Sequence, residues 1–316
     1  MQATTRWKAI VRTLLFSLAF FCAAAVQAGD TAGTAPLALA DNVSYHPTDG
    51  SVSSANKAQK DVANLSQPAE YLFSSPPRGN NAMETAIFQP VADYLSRVTG
   101  KKFVYKYSDN WLAYQSNMQK DTYDLVFDGP HFVSWRISHR GHEPLVKIPG
   151  DFIFVFLVRK DNNNIQELSN LAGRTVCGHA PPNQGTLRLY NMFTNPARQP
   201  QLVEVQGWRN IYREMLAGKC IGSVVPLKIY KELDPEGKDT KVLYVTKAAP
   251  GQAFTASKRI PPEIRAKIAD ALMSAEGQAV TAKLRQRYPS QPYIRATKKE
   301  YSGEDELLKD SFGFDS

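Results

Sequence analysis

The stretch DLVFDGPHF, residues 124–132, decides the fold. Its apolar run ends at Asp128 and Gly129, which is typical of a strand buried on both faces of a parallel sheet. Gly129 turns the chain, and Pro130 suits the first position of a helix, where its missing N–H costs nothing. The stretch therefore predicts a strand that passes directly into a helix N-terminus.

A junction of this kind is a candidate edge of a ligand site. In open α/β sheets, ligands bind outside the carboxyl ends of the strands, where a helix N-terminus offers free N–H groups and a partial positive charge. For these nine residues alone, an ordinary strand-to-helix turn without a ligand is an equal alternative.

The same order of strand, polar loop and helix start recurs at 70–83, 103–114, 174–190 and 202–216. If these junctions share one cleft, the arginines pair with an oxyanion and the large aromatic residues pack on apolar parts of a ligand. A surface ion pair is the alternative for Arg209, core packing for Trp208 and Trp111, and a helix cap for His131. The predicted ligand-binding residues are Ser75, Arg78, Trp111, Asp128, His131, Phe132, Asn183, Gln184, Gly185, Thr186, Trp208 and Arg209.

Alternating strands and helices without an internal repeat predict an α/β protein with two lobes, each a mostly parallel sheet flanked by helices. The long apolar strand 151–159 is predicted to cross from the first lobe to the second, and residues 250–256 to return. The first lobe then comprises 68–155 with 248–316, and the second 156–247. A ligand cleft is expected between them.

The N-terminus predicts export. Arg6, Lys8 and Arg12 precede an apolar segment over 14–26, and cleavage by signal peptidase is expected after Ala28. Residues 1–28 are thus a predicted signal peptide, and 29–67 a flexible lead without sustained periodicity. The mature protein is expected to be a soluble, exported monomer.

Charge and cysteine content narrow the class of protein further. The signal peptide contains three of the 38 Lys and Arg and none of the 30 Asp and Glu, so 35 basic and 30 acidic residues remain. This small, dispersed surplus favours anionic ligands but lacks the basic stripe that nucleic-acid binding needs. Cleavage removes Cys22 and leaves Cys177 and Cys220, which favours a disulfide, with two buried free thiols as the alternative.

Catalytic signatures are missing from the sequence. It contains no Gly-x-Ser-x-Gly elbow, no P-loop and no dinucleotide-binding glycine pattern, so an enzyme is not predicted. His139, His142 and Glu143 are candidate metal ligands, but a solvated turn at a helix end is the favoured interpretation. We predict neither a cofactor nor a metal.

Four segments of the chain share a pattern with a known family: Tyr123–Val126 with Gly129-Pro130, Val158–Asp161, Asn170–Val176 and Leu216–Gly222. In their order and spacing, from about Tyr71 to Tyr301, the chain resembles the periplasmic phosphate, phosphite and phosphonate-binding proteins of ABC importers. The resemblance implies a type 2 periplasmic-binding fold that closes on its ligand by a hinge. It also implies that Cys177 and Cys220 are bridged.

The resemblance departs at the second lobe, where phosphonate-binding members show a Ser/Thr-rich run before a Gly. Here that run is Pro182-Asn183-Gln184-Gly185, and only Thr186 is hydroxylated. The implied function is capture of a small anionic or polar ligand, a phosphonate-like or other oxyanion, for an ABC permease of the inner membrane. A periplasmic module that signals to a membrane partner without transport is the alternative.

Overall fold

The structure is a computed structural model that describes residues 70–288, 291–309 and 314. The predicted signal peptide, the predicted lead and Cys22 lie outside these residues. None of the helices within the described ranges has the length and apolar character that a membrane span requires.

Strands and helices alternate along most of the described chain. The strands are β1 (Tyr71–Ser74), β2 (Phe103–Tyr105), β3 (Leu125–Asp128), β4 (Glu143–Lys147), β5 (Asp151–Phe152), β6 (Phe154–Arg159), β7 (Thr175–Gly178), β8 (Gln201–Glu204), β9 (Gly222–Pro226), β10 (Thr240–Val245), β11 (Ala249–Pro250), β12 (Ala253–Ala256) and β13 (Ile294–Arg295). The α-helices are α1 (Asn81–Thr99), α2 (Trp111–Gln119), α3 (Pro130–Arg140), α4 (Gln184–Asn191), α5 (Trp208–Leu216), α6 (Leu227–Leu233), α7 (Pro262–Met273), α8 (Ala275–Val280) and α9 (Ala282–Arg285).

The first lobe is built on a six-stranded sheet in the order β13-β4-β12-β3-β1-β2. Strand β1 pairs in parallel with β2 and β3, whereas β12 runs antiparallel to β3 and β4. The apolar faces of α1 and α7 pack on this sheet around Phe73, Phe88 and Phe254. The stretch that decides the fold forms β3, all four residues of which are buried.

The second lobe is built on a five-stranded sheet in the order β10-β6-β9-β7-β8. Strand β7 pairs in parallel with β8 and β9, and β6 runs antiparallel to β9 and β10. The two-lobed α/β fold is thus confirmed, but both sheets are mixed instead of mostly parallel. The strands that directly follow a connection between the lobes, β6 and β12, are antiparallel to both of their neighbours.

A disulfide joins Cys177 of β7 to Cys220, which precedes the neighbouring strand β9. The two Cα atoms lie 5.6 Å apart, and both side chains are buried in the second lobe. The predicted disulfide is therefore present in the structure.

The chain crosses between lobes twice, at β5 and at β11, and these two short strands pair with each other in an antiparallel ribbon. The predicted single strand over 151–159 is interrupted at Ile153, which separates β5 from β6. The ribbon places both crossings side by side.

The lobes also meet at a short 3-10 helix near the C-terminus, Glu304–Leu308. Leu307 and Leu308 share an apolar cluster with Phe132 of the first lobe and Leu187 of the second. The Glu304 carboxylate accepts a hydrogen bond from Arg188 at 2.7 Å. This segment therefore packs on α3 while also contacting α4.

Candidate functional site

A cavity of about 460 Å³ lies between the lobes. Its walls come from the loops that follow β1, β3, β7 and β8, and its lining also includes Phe152 of β5 and Gln252, which lies between β11 and β12. Each of these four loops leaves the carboxyl end of a strand in a parallel pair, which is the edge where open α/β sheets bind ligands. The volume is in the range of small-molecule sites.

The N-terminus of α3 opens into this cavity without a side-chain cap. Gly129 is the cap residue and offers no acceptor, and Pro130 occupies the first helical position. The N–H groups of His131 and Phe132 belong to the first turn, which has no intrahelical partners. The positive end of this helix therefore faces the cavity, and no side chain in the described part of the chain caps its N–H groups.

Gly129 matters because of the space that it leaves. A Cβ atom built on it would lie only 3.1 Å from Cε1 of His131, 3.4 Å from Nδ1 of the same ring and 3.7 Å from Nη2 of Arg78. Its φ of −73° is ordinary for any residue, so the backbone does not require glycine here. The missing side chain instead leaves a gap between a cationic donor and an imidazole nitrogen.

Arg78 and Arg287 bring positive charge to the first-lobe wall. Arg78 donates to the hydroxyl of Tyr288 at 2.8 Å, and it pairs with no carboxylate among the described residues. Arg287 instead pairs with the fully buried carboxylate of Glu84 at 2.9 Å. The charge of Arg287 is therefore compensated within the lobe, and Arg78 is the cation best placed to meet an anion.

His131 connects the two lobes across the cavity. Its Nε2 lies 3.0 Å from the carbonyl oxygen of Pro182, and its ring packs against Phe132. Burial lowers the pKa of His131 to about 3, which the Pro182 hydrogen bond opposes and the positive charges of Arg78 and Arg188 reinforce. The ring is therefore neutral near pH 7 and acts as a hydrogen-bonding group, not as a cation.

The opposite wall contains the N-terminus of α4, which is capped. Asn183 accepts hydrogen bonds from the N–H of Gly185 at 2.9 Å and of Thr186 at 3.4 Å. Gln184 donates from Nε2 to Glu304 at 2.9 Å, while its Oε1 is buried and has no hydrogen-bond partner among the described residues. The first turn of α4 is therefore capped by its own side chain, whereas the first turn of α3 has no side-chain cap.

Aromatic rings cover both sides of the cavity. Trp111, at the start of α2, stacks on Phe132 with ring centroids 6.1 Å apart. Trp208, at the start of α5, meets the ring of His179 edge-on at 4.3 Å. These rings offer apolar area to the non-ionic part of a ligand.

Seven of the twelve predicted ligand-binding residues line this cavity. They are Arg78, Trp111, His131, Phe132, Asn183, Gln184 and Trp208. The other five, Ser75, Asp128, Gly185, Thr186 and Arg209, lie outside its lining, and the structure gives each of them another partner.

In the first lobe, Asp128 and Ser75 are occupied inside the fold. The Asp128 carboxylate pairs with Nε of Arg136 at 2.8 Å, and both side chains are fully buried. Tyr114 donates its hydroxyl to the same carboxylate. Ser75 shares a hydrogen bond with the hydroxyl of Tyr105 at 3.0 Å. Asp128 therefore braces α3 against β3, because a buried carboxylate needs its own cation.

In the second lobe, the three residues outside the cavity lining have structural contacts. These residues are Gly185, Thr186 and Arg209. A Cβ atom at Gly185 would lie 2.7 Å from the ring of Phe154, so glycine permits the close approach of α4 to the sheet. Thr186 donates its hydroxyl to the carbonyl of His179 at 2.6 Å. Arg209 is exposed and pairs with Glu232.

Several lining residues were not among the predicted ones, notably Gly129, His179, Glu204, Arg287 and Tyr288. Gly129 and His179 lie within junctions that the sequence did identify. Arg287 and Tyr288 follow α9, and local patterns cannot reveal that this segment reaches the first-lobe wall. Glu204 ends β8 and is exposed at the cavity rim, where Gln206 donates to it at 2.8 Å.

The two histidines that the sequence offered as candidate metal ligands have different partners. His142 is buried and contacts the Asp121 carboxylate at 2.7 Å, whereas the ring of His139 stacks on Trp135. Within the described ranges, no group of three or more His, Cys, Asp and Glu side chains is arranged to hold a metal ion.

Comparison with known proteins identifies a family. The sequence model of the family described as the periplasmic substrate-binding protein of phosphonate ABC transporters matches residues 73–301. No curated protein sequence matches the chain significantly.

Solved structures share the fold at low sequence identity. PhnD1 from Prochlorococcus marinus, in complex with methylphosphonate, is 13% identical with a TM-score of 0.57, covering 77% of this chain and 98% of its own. A Xanthomonas citri protein bound to ATP is 13% identical with a TM-score of 0.59, covering 77% and 99%. The binding component of an ABC phosphonate transporter from Pseudomonas aeruginosa is 13% identical with a TM-score of 0.53, covering 76% and 85%.

Proposed function

We propose that this chain, which belongs to the family of periplasmic substrate-binding proteins of phosphonate ABC transporters, binds a small organic oxyanion between its lobes. The observation that carries the proposal is the uncapped N-terminus of α3 facing the cavity beside Arg78. Backbone N–H groups, the helix dipole and a guanidinium that pairs with no carboxylate of the described residues together favour a negative charge at this point.

The cavity also suggests the size of the ligand. A volume of about 460 Å³ exceeds what a single oxyanion group fills, and aromatic rings flank it on both sides. We expect a phosphonate-type headgroup at α3 and an organic substituent between Trp111 and Trp208. The PhnD1 complex with methylphosphonate is consistent with this ligand class.

The protein binds the ligand without changing it chemically and delivers it to a permease of the inner membrane. The crossing ribbon of β5 and β11 serves as the hinge, and the His131–Pro182 hydrogen bond and the Glu304 contacts hold the lobes together around the ligand. We propose that the protein acts as a periplasmic monomer after cleavage following Ala28. Intact-mass measurement of the exported protein tests the cleavage site.

Isothermal titration calorimetry of the mature protein tests the binding function. The panel contains phosphate, methylphosphonate, phenylphosphonate, the matching sulfonates and the matching carboxylates. We expect at least one phosphorus oxyanion to bind with one-to-one stoichiometry. Absence of binding to every anion of the panel would contradict the proposal.

A further inference from the structure

The C-terminal segment 294–308 is anchored on the first lobe. Its strand β13 pairs with β4, and the buried hydroxyl of Tyr301 donates to the carbonyl oxygen of Gly251 at 2.8 Å. Glu300 forms an ion pair with Lys147 of β4. Gly251 directly follows β11, one of the two strands that connect the lobes. The segment is therefore fixed to the first lobe next to the connection between the lobes.

The 3-10 helix Glu304–Leu308 at the end of this segment also packs on the first lobe. Asp305 accepts a hydrogen bond from the hydroxyl of Ser134 in α3 at 2.7 Å. Leu307 and Leu308 belong to a buried apolar cluster whose other members come mainly from the first lobe. The helix therefore belongs to the first lobe and lies beside α3.

Glu304 contacts the second lobe. Its carboxylate accepts from Nη2 of Arg188 at 2.7 Å and from Nε2 of Gln184 at 2.9 Å, and both donors are in α4. The side chains of Arg188 and Glu304 are only 14% and 15% exposed, so solvent screens this ion pair less than a surface pair. One carboxylate thus joins the first-lobe segment to α4.

This contact depends on the positions of the two lobes. A rotation that opens the cleft moves α4 away from the first lobe, so the hydrogen bonds of Glu304 form only in the closed arrangement. The contacts that anchor the segment join parts of one lobe and are kept in both arrangements. Glu304 and Arg188 lie outside the cavity lining. Glu304 also lies beyond Tyr301, where the match to the family model ends.

We propose that Glu304 is a latch residue, which stays with the first lobe and binds α4 when the cleft closes. The latch stabilises the closed form relative to the open form, so part of the protein is closed before a ligand binds. A ligand that binds the closed form then has an apparent affinity proportional to the closed fraction. This effect on ligand binding rests on the proposed function, whereas the latch itself requires no ligand.

Single-molecule FRET of the mature protein tests the latch without a ligand. One dye is attached to each lobe through a cysteine introduced at an exposed position, and the ratio of closed to open molecules is measured. The wild type is expected to show both forms. Glu304→Gln keeps the size of the side chain but removes its charge, so the closed-to-open ratio should fall at least about 5-fold.

Two further variants assign the effect to the contact with α4. Arg188→Met removes the partner of Glu304, so its effect and that of Glu304→Gln should be less than additive in the double variant. Glu306→Gln is the matched control, because Glu306 belongs to the same 3-10 helix but is exposed. It makes the same change in charge and should keep the wild-type ratio.

Three results would overturn the latch. They are an unchanged ratio in Glu304→Gln, an equal fall in Glu306→Gln, and a ligand-free wild type without closed molecules.

Calorimetry with methylphosphonate separates the latch from the proposed function. Glu304→Gln should weaken methylphosphonate binding by the factor by which the closed fraction falls. Unchanged affinity despite a lower closed fraction would contradict the effect of the latch on binding. Failure of methylphosphonate and the other anions to bind the wild type would count against the proposed function, while the ligand-free FRET comparison would still decide the latch.

Discussion

The starts of α3 and α4 face the same cavity from opposite lobes, and both helices follow a buried strand. They differ in their N-terminal caps. At α3, Gly129 provides no side-chain acceptor. At α4, Asn183 accepts from two backbone N–H groups of the first turn. The cap of α4 occupies two N–H groups of its first turn, so among the described residues the uncapped start of α3 has more of its first-turn N–H groups left for an anion.

This difference explains why two strand-to-helix junctions with similar sequence patterns contribute differently to ligand binding. The first lobe supplies donors and positive charge through α3 and Arg78. The second supplies side-chain groups, among them Gln184, and its capped helix contributes mainly to stability. Substitutions that exchange these properties between the two helix starts test the distinction.

The largest expected effect comes from giving α3 a cap. Gly129→Asp places a carboxylate where it accepts from the first-turn N–H groups, fills the gap beside Arg78 and repels an anion. We expect phosphonate affinity to fall by more than about 100-fold in calorimetry, since several charge-assisted contacts are lost together. Gly129→Ala, which fills the gap without adding charge, is expected to lie between this variant and the wild type. Unchanged affinity in Gly129→Asp would contradict a ligand site at α3.

A smaller effect is expected at Arg78, one of the two arginines that the sequence predicted to bind an oxyanion. Arg78→Gln should weaken phosphonate binding about 10- to 100-fold, because a hydrogen bond to a charged group contributes about 1.5–3 kcal/mol. Arg209→Gln is the matched control, since Arg209 is exposed and pairs with Glu232 outside the cavity. Its affinity should remain within about 2-fold of wild type. The reverse ranking of the two variants would place the anion elsewhere.

Removing the cap of α4 should affect stability more than binding. Asn183→Ala leaves the first-turn N–H groups of Gly185 and Thr186 without their acceptor. We expect the free energy of unfolding to fall by about 1 kcal/mol in chemical denaturation. Phosphonate affinity should change far less than in Gly129→Asp. A loss of affinity as large as in that variant would mean that α4 also binds the anion directly.

The smallest expected effect is a difference in pH dependence. The folded protein keeps the pKa of His131 near 3, below its ordinary value, so the unfolded chain takes up a proton first as the pH falls. Stability is therefore present above about pH 6.5 and declines below it. Between pH 7 and pH 6, this histidine alone should lower the free energy of unfolding by about 0.7 kcal/mol.

His131→Phe removes this contribution, while His142, whose pKa burial also lowers, remains in both proteins. The denaturation free energies of wild type and variant should therefore converge or cross as the pH falls. Parallel curves over this interval would contradict a neutral, buried His131.

Much of the fold was predictable because local patterns encode it. Apolar runs ended by Gly, Pro and Asn marked the strand-to-helix junctions, and the two crossings followed from their order. The resemblance to the phosphonate-binding family is confirmed by the match over 73–301. The mixed strand directions were not foreseen, because the direction of β12 relative to β3 depends on where the returning chain enters the sheet.

The site was less predictable, because partners distant in sequence decide which polar residues are available. Asp128 belongs to the junction that decides the fold, but Arg136 and Tyr114 occupy its carboxylate. Nothing local indicates that Glu304 fixes the amide of Gln184, since 120 positions separate them. Gly129 was identified as a turn, whereas the gap that it leaves depends on the side chains of His131 and Arg78.

The most direct test of the central claim is a crystal structure with methylarsonate, a heavy-atom analogue of methylphosphonate. The anomalous signal of arsenic locates the headgroup independently of the protein density. We predict one strong peak at the N-terminus of α3, within contact of Arg78 and the Gly129 gap. A peak at another surface, with this gap filled only by water, would contradict the account.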